Sequence, residues 1–204
     1  MKKIKKILAA NRSEIAIRIF RAAEESGIKT VAIYSKEDRF ALHRFKTDES
    51  YLVGKGKGPI QAYLDIESII NIAKKSNTDA IHPGYGFLSE SPELARACKK
   101  NNIIFIGPTQ DILKKLGNKT EAKKVAKEAE VLTIPSITIN HDNKKDLENK
   151  IEEIGYPVIV KASWGGGGRG MRVINSSKDL FKQIEVAQSE ALKAFGKDEI
   201  FIEK

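Results

Sequence analysis

The sequence predicts an α/β chain in two parts, a parallel-sheet unit followed by a smaller α+β unit. Three observations predict it. Short apolar runs alternate with stretches of helical periodicity as far as residue 106. Cap and turn residues stand where each helix should start and stop. The alternation then breaks at two successive helices, and a different rhythm resumes beyond a polar seam at residues 140–145.

Residues 5–10 read as a short buried strand. Asn11-Arg12-Ser13-Glu14 resembles a capping box with Asn11 at the N-cap. The helix it opens, 12–26, is expected to bury Ile15, Ile19 and Ala22 and to end at Gly27. A strand follows at 29–35 and another at 50–53, leading into a glycine- and lysine-rich turn at 54–59. Asp65 caps a helix carrying Ile66, Ile69, Ile70 and Ala73. Residues 79–82 form a strand that runs into Pro83-Gly84-Tyr85-Gly86. Ser91-Pro92 opens a further helix with Pro92 at its first position. Residues 102–106 form a strand stopped by Gly107-Pro108. Helices at 109–116 and 119–130 are separated by Gly117-Asn118. Beyond Pro135 and the seam come a helix, a strand at 156–163, the glycine run, a strand at 171–174, a helix at 178–195 and a strand at 199–203. The boundary between the two parts falls between Leu113 and Pro135.

Composition narrows the function classes. Of 204 residues, 36 are Lys or Arg and 27 Asp or Glu, giving a net charge of +9. A nucleic-acid partner is disfavoured, because the excess is lysine, in pairs spread evenly along the chain, whereas base and phosphate readers lean on the forked arginine donor. The charge is read as a solvated surface, with a weak anion-attracting field or a basic binding module as the alternatives. No apolar run approaches the ~20 residues of a membrane helix. Met1-Lys-Lys-Ile-Lys-Lys looks like the start of a signal peptide, but the apolar stretch after it, Ile7–Ala10, is far too short for one. The single Cys98 excludes an intrachain disulfide and fits a reducing compartment, the cytoplasm.

The chemical centre is Trp164-Gly165-Gly166-Gly167-Gly168-Arg169-Gly170. Residues without Cβ let backbone N–H groups approach an oxyanion closely. Gly165, Gly167 and Gly170 spell a G-x-G-x-x-G, which signals dinucleotide binding only where a helix opens directly behind it. Here a strand follows, so that reading fails on context. Walker A fails as well, since Gly117-Asn118-Lys119-Thr120 has only its tail. A glycine hairpin can instead fold over a nucleotide, with a strand lysine at the phosphates. Lys161, four residues before the glycines in an otherwise apolar strand, fits that role. A strand-end lysine snorkelling to water fits the spacing equally.

Four runs carry a resemblance: Ile159-Val-Lys-Ala-Ser-Trp-Gly-Gly-Gly-Gly-Arg-Gly-Met-Arg-Val, Asn11-Arg-Ser-Glu-Ile-Ala-Ile-Arg, Ile81-His-Pro-Gly-Tyr-Gly-Phe-Leu-Ser-Glu, and Phe105-Ile-Gly-Pro with Leu116-Gly-Asn-Lys. Together they resemble the biotin carboxylase component of biotin-dependent carboxylases, in family order and across essentially the whole chain. Residues 38–51 and Trp164 look most like the members whose final acceptor is pyruvate; acyl-CoA and urea carboxylases share most of the motifs. The resemblance implies a Rossmann-like (pre-ATP-grasp) domain at 1–113, a helical connection at 114–134 and the lid subdomain of an ATP-grasp fold at 135–204, truncated before the ATP-grasp core. It implies an ATP-dependent ligase that carboxylates biotin with bicarbonate through carboxyphosphate. It implies ATP contacts from Lys119, Lys161, Gly165, Gly166, Gly167, Gly168, Gly170, Met171, Glu203 and Lys204. No catalytic residue and no magnesium ligand is implied within these residues. The implied partners are bicarbonate, a biotinyl carrier domain, the rest of the ATP-grasp core and a second subunit, with Arg18, Arg21 and Glu25 as a dimer contact. On its own this segment is expected to bind ATP weakly at best and not to turn it over.

The remaining candidates have bland readings. His82 is expected to fix the turn after its strand by hydrogen bonds, with a ligand role at that sheet edge as the alternative. His43 and His141 lie in stretches read as polar loops, and no zinc-site spacing is present. Cys98 reads as a small buried apolar residue. Arg18, Arg21 and Glu25 share a helix face on which local ion pairs alone are the plain alternative. Trp164 is either an anchor for the glycine run or a packing residue.

Overall fold

The computed structural model describes residues 3–139, 144–164, 168 and 171–204. The chain divides into two compact units, Met1–Lys114 and Lys115–Lys204.

In the first unit, strands β1 (Lys6–Ala9), β2 (Lys29–Tyr34), β3 (Glu49–Leu52), β4 (Ala80–His82) and β5 (Ile104–Phe105) form one sheet in the order β3-β2-β1-β4-β5. Every pairing is parallel. The central strands are apolar on both sides because helices cover both. Leu8, Val31, Ile33 and Ile81 form one cluster with Ile69 and Ala73 of α3 (Ile66–Lys75) and Leu94 and Cys98 of α4 (Pro92–Lys100). On the other side Ala9 and Ala32 are small enough for Phe20 of α1 (Ser13–Glu25) to pack against the strands. The caps of α3 and α4 are those expected: Asp65 accepts from Ser68 N and Ser91 from Leu94 N.

Three expectations are corrected here. The capping box is not formed, since Arg12 occupies the N-cap position with no side-chain cap bond. The buried stripe of α1 is Ala16, Phe20 and Ala23, one residue later than expected; Ile15 and Ile19 are half-buried and Ala22 is exposed. The stretch read as a turn ends in a short helix α2 (Pro59–Tyr63), with Pro59 at its start and Tyr63 fully buried, its ring stacked on Phe87 at 5.2 Å.

The second unit opens with α5 (Gln110–Gly117) ending and α6 (Lys119–Glu128) beginning at the Asn118 cap, whose Oδ1 accepts from Thr120 N and Glu121 N. Strands β6 (Ser136–Thr138), β7 (Val158–Ala162), β8 (Arg172–Ile174) and β9 (Ile200–Glu203) form an antiparallel sheet in the order β6-β9-β7-β8. Strand β6 lies in the stretch that the sequence analysis left without an element. One face of the sheet carries Val158, Val160, Ala162, Ile174, Ile200 and Ile202, packed with Leu147 and Ile151 of α7 (Lys144–Ile154) and Leu180, Ile184, Ala187 and Ala191 of α8 (Leu180–Phe195). Both helices use this face, so the opposite face has no helix of the α7–α8 layer upon it.

Candidate functional site

The register fixes what that opposite face presents. Ile159 pairs with Glu203 and with Val173, and Lys161 pairs with Phe201. Directly paired residues project to the same side of a sheet, so Ile159, Lys161, Val173, Phe201 and Glu203 share it. Lys123 of α6 lies over part of this face, its Nζ 5.6 Å from the Phe201 ring centroid. The β8 end stays open, with Val173 59% exposed.

Two cations meet at one carboxylate there. Glu203 is 5% exposed, and its Oε2 accepts from Lys161 Nζ while Oε1 pairs with Lys123 Nζ. Burial pushes the Glu203 carboxyl up, but the bonds from Lys123 and Lys161 outweigh it and hold the group below the ordinary glutamate range. Lys161 therefore does not merely snorkel to bulk water; it ends on a buried carboxylate two β-strand positions away across the ladder. Lys123 also donates to the Ile134 carbonyl at 3.1 Å. Nothing in the sequence analysis singled out Lys123; its only advance signal was a lysine four residues past Lys119, one turn along the same helix.

A second set of contacts ties the stem of the glycine run to the start of α6. Lys119 N donates to Ser163 O at 3.0 Å, and the Thr120 and Ser163 hydroxyls are 3.0 Å apart. The Glu199 carboxylate accepts from Trp164 Nε1 at 2.6 Å and from Asn118 Nδ2 at 3.2 Å. Lys197 Nζ sits 3.4 Å from the centre of the Trp164 ring. Trp164 is thus held in place by a defined polar contact, not by packing alone. Lys119, the first residue of α6, thus has its main-chain N–H on Ser163, two residues after Lys161.

Of the glycines, only Gly168 lies among the described residues; Gly165, Gly166, Gly167 and Gly170 lie outside them, as does His141. Gly168 has φ +73°, and its carbonyl accepts from Met171 N at 3.3 Å. The next element is strand β8, as the hairpin reading requires. Met171 is 45% exposed. Lys204 Nζ donates to the Gly155 and Tyr156 carbonyls at 2.9 and 3.4 Å, and its backbone N to Pro135 O. Its ammonium is therefore turned to main chain at the other end of β7 from Lys161.

The first unit holds a separate polar cluster at the carboxyl ends of β1, β2 and β4. Asn11 is fully buried and donates to the Pro83 and Tyr85 carbonyls at 2.8 and 2.9 Å. Gly84 has φ +67°, and a Cβ there would lie 2.8 Å from Asn11 Nδ2, so this turn needs glycine. Arg12 Nη1 and the Tyr63 hydroxyl both donate to Asp38 Oδ2, at 2.9 and 2.7 Å. Burial works to raise the Asp38 carboxyl, and these two donors overcome it and hold it low. His82 Nδ1 accepts from Gly84 N at 3.0 Å, the turn-fixing role expected of it. His43 is not in an exposed loop: it is fully buried in a 3₁₀ turn (Leu42–Phe45), with Nε2 donating to Ile33 O, and burial pushes its pKa down. Cys98 is fully buried, and burial pushes its thiol up to about 12. Arg18, Arg21 and Glu25 are exposed on α1, with Arg18 3.7 Å from Glu14.

Among the described residues, no group of three His, Cys, Asp or Glu side chains is placed to hold a metal ion, and no helix is long and apolar enough to cross a membrane.

Comparison with known proteins accounts for both units. The family described as "Biotin carboxylase, N-terminal domain" matches residues 3–113, and "Carbamoyl-phosphate synthase L chain, ATP binding domain" matches residues 118–204. Pyruvate carboxylase of Bacillus subtilis is 53% identical over 201 residues, covering 98% of this chain and 18% of the relative. Human mitochondrial pyruvate carboxylase is 49% identical over 203 residues, covering 100% of this chain and 17% of the relative. The chain therefore spans less than a fifth of the length of these relatives. Among solved structures, a Rhizobium etli pyruvate carboxylase variant is 56% identical with a TM-score of 0.90, over 100% of this chain and 18% of that one. A Campylobacter jejuni biotin carboxylase, solved as a beta-gamma-ATP complex, is 42% identical with a TM-score of 0.91, over 99% of this chain and 45% of that one. By the family match over residues 3–113, and in sequence and fold, the chain belongs to the biotin carboxylase family.

Proposed function

We propose that this chain supplies the nucleotide lid of the biotin carboxylase part of a pyruvate carboxylase. The observation that carries the reading is the Lys161–Glu203 pair on the half-open face of the second unit's sheet, four residues upstream of the glycine run. A lysine ammonium is a mobile point charge suited to phosphate. Here it is held near the surface by a carboxylate from which triphosphate can draw it. Phosphoryl transfer depends on positioning and charge neutralisation more than on covalent participation.

Lys119 and Lys161 contact the ATP phosphates, Gly165–Gly168 and Gly170 close over them, and the Met171 thioether lies against the adenine. Glu203 and Lys204 meet the adenine edge through main chain, which suits side chains already engaged elsewhere. The reaction served is phosphorylation of bicarbonate to carboxyphosphate, whose breakdown delivers CO2. Biotin, on a carrier domain, supplies the nitrogen that accepts the carboxyl group and passes it to pyruvate, giving oxaloacetate. Identities of 47–53% to pyruvate carboxylases support that acceptor. Magnesium would be held by carboxylates of the ATP-grasp core outside these residues. We assign residues 1–113 to the pre-ATP-grasp domain, 114–134 to the connection and 135–204 to the lid. Arg18, Arg21 and Glu25 are assigned to a subunit contact of the whole enzyme, which we place in the cytoplasm.

Alone, the chain binds ATP with a dissociation constant on the order of 1 mM, equivalent to about 4 kcal/mol, and does not hydrolyse it. Photolabelling with 8-azido-ATP tests this. The reading expects label in the peptides holding Met171 and β9, suppressed by excess ATP. Label confined to the first unit, or indifferent to ATP, would overturn it, as would ATP hydrolysis at the rate of a complete biotin carboxylase.

A further inference from the structure

We infer that Lys123 is a positioning residue for nucleotide binding, holding the Glu203 carboxylate when Lys161 leaves it for phosphate. The inference rests on the reading of Lys161 as a phosphate ligand. The geometry is one nearly buried carboxylate between two ammonium groups on different elements, Lys161 on β7 and Lys123 on α6. Among the described residues, these two are the charged groups that face Glu203.

The two lysines are held differently. Lys123 is fastened on a second side by the Ile134 carbonyl and lies over the Phe201 ring. Its helix starts at the doubly accepting Asn118 cap, which fixes its register. Among the described residues the polar partner of Lys161 is Glu203, and β7 pairs with β8, where Val173 is 59% exposed. Lys161 is thus the partner able to turn toward an incoming anion. If it did so with no second cation present, a 5% exposed carboxylate would be left uncompensated, which is costly. Lys123 removes that cost. With both lysines present the cluster carries one net positive charge before nucleotide arrives, and the phosphate receives it.

This assigns Lys123 a signature that a direct phosphate contact lacks. In Lys123→Met, binding of ATP should be penalised only while Glu203 is ionised. Once the carboxyl takes a proton, Lys161 leaves without cost. Because Glu203 loses one of the two groups that hold its pKa low, that protonation shifts to higher pH in the variant.

The test is ATP titration of this chain followed by amide NMR shifts, which report millimolar affinities, at pH 8 and pH 5. Comparing variant with parent at each pH cancels the nucleotide's own titration. Lys123→Met is expected to weaken binding roughly tenfold at pH 8, a factor of ten being the unit of the affinity scale, and clearly less at pH 5. Lys123→Arg should bind as the parent does, and Lys123→Met with Glu203→Gln should recover most of the loss. A defect equal at both pH values would overturn the inference in favour of direct contact, and no defect would overturn it outright. If Lys161→Ala also leaves ATP binding unchanged, the phosphate reading of Lys161 has failed. If Lys161→Ala abolishes binding and Lys123→Met does nothing, only the present inference has. A readout without nucleotide is the side-chain carboxyl of Glu203 followed by 13C NMR, whose titration should move up in Lys123→Met; an unmoved titration would also overturn the inference.

Discussion

Replacing Glu199 by alanine should loosen the stem of the glycine run while leaving the sheet register intact. The Ser163 N–H bonds to the Glu199 main-chain carbonyl, so β7 and β9 keep that link. What is lost is a carboxylate receiving the Trp164 indole N–H at 2.6 Å and the Asn118 amide at 3.2 Å. A hydrogen bond to a charged group contributes ~1.5–3 kcal/mol when well protected. Glu199 is exposed, and solvent screening reduces that. Both donors can turn to water in the variant, so a net loss of about 1 kcal/mol is the expectation. For a unit of this size that corresponds to a fall of ~4–8 °C in the unfolding midpoint. Trp164 is the single tryptophan of the chain, so intrinsic fluorescence reads the second unit selectively. Emission should shift to the red as the indole N–H turns to water, and the fluorescence-detected midpoint should fall. Glu199→Gln, which keeps an acceptor, should lie between variant and parent. Unchanged emission together with an unchanged midpoint would refute the view that this carboxylate anchors Trp164.

Asn11→Ala should destabilise the first unit by about 2 kcal/mol, because the buried Pro83 carbonyl, the part-buried Tyr85 carbonyl and the Arg12 N–H lose their partner; urea unfolding followed by tyrosine fluorescence measures it. The Asp38 carboxyl is held below its unfolded value, so its contribution is complete above about pH 4 and is lost as pH falls through the folded value. Asp38→Asn should therefore flatten the acid limb of the first unit's stability profile. Cys98, buried and pushed up to about 12, should resist a thiol reagent at pH 8 in the native protein and react fully in urea.

Local rules made much of the fold legible. Short continuous apolar runs marked the parallel strands, and cap residues marked the starts of α3 and α4, because Asp65 and Ser91 satisfy donors that a helix start leaves open; the break at Gly117-Asn118 marked the start of α6, where Asn118 proves to be the cap. Tertiary partners hid the rest. Asn11 has the composition of a cap, but Pro83 and Tyr85, more than seventy residues on, take its amide. That also explains the shifted stripe of α1: the helix starts at Ser13, and the small Ala9 and Ala32 select Phe20 as the inward residue. His43 sits among charged and exposed neighbours, and only the Ile33 carbonyl reveals that it is buried. At the site, Lys161 and the glycines stand out because a charge and bare main chain are anomalous in a strand pattern. Lys123, on a helix rich in lysines, is distinguished only by what lies across from it.

The central claim is that the open sheet face before the glycine run takes triphosphate at Lys161 and adenine at Met171. The chain has two methionines, Met1 and Met171, so methyl labelling of methionine gives a two-signal spectrum. Added ATP should shift the Met171 methyl signal saturably, leave Met1 in place, and lose its effect in Lys161→Ala. A Met171 signal that stays still at saturating ATP, or that shifts equally without the Lys161 ammonium, would contradict the claim.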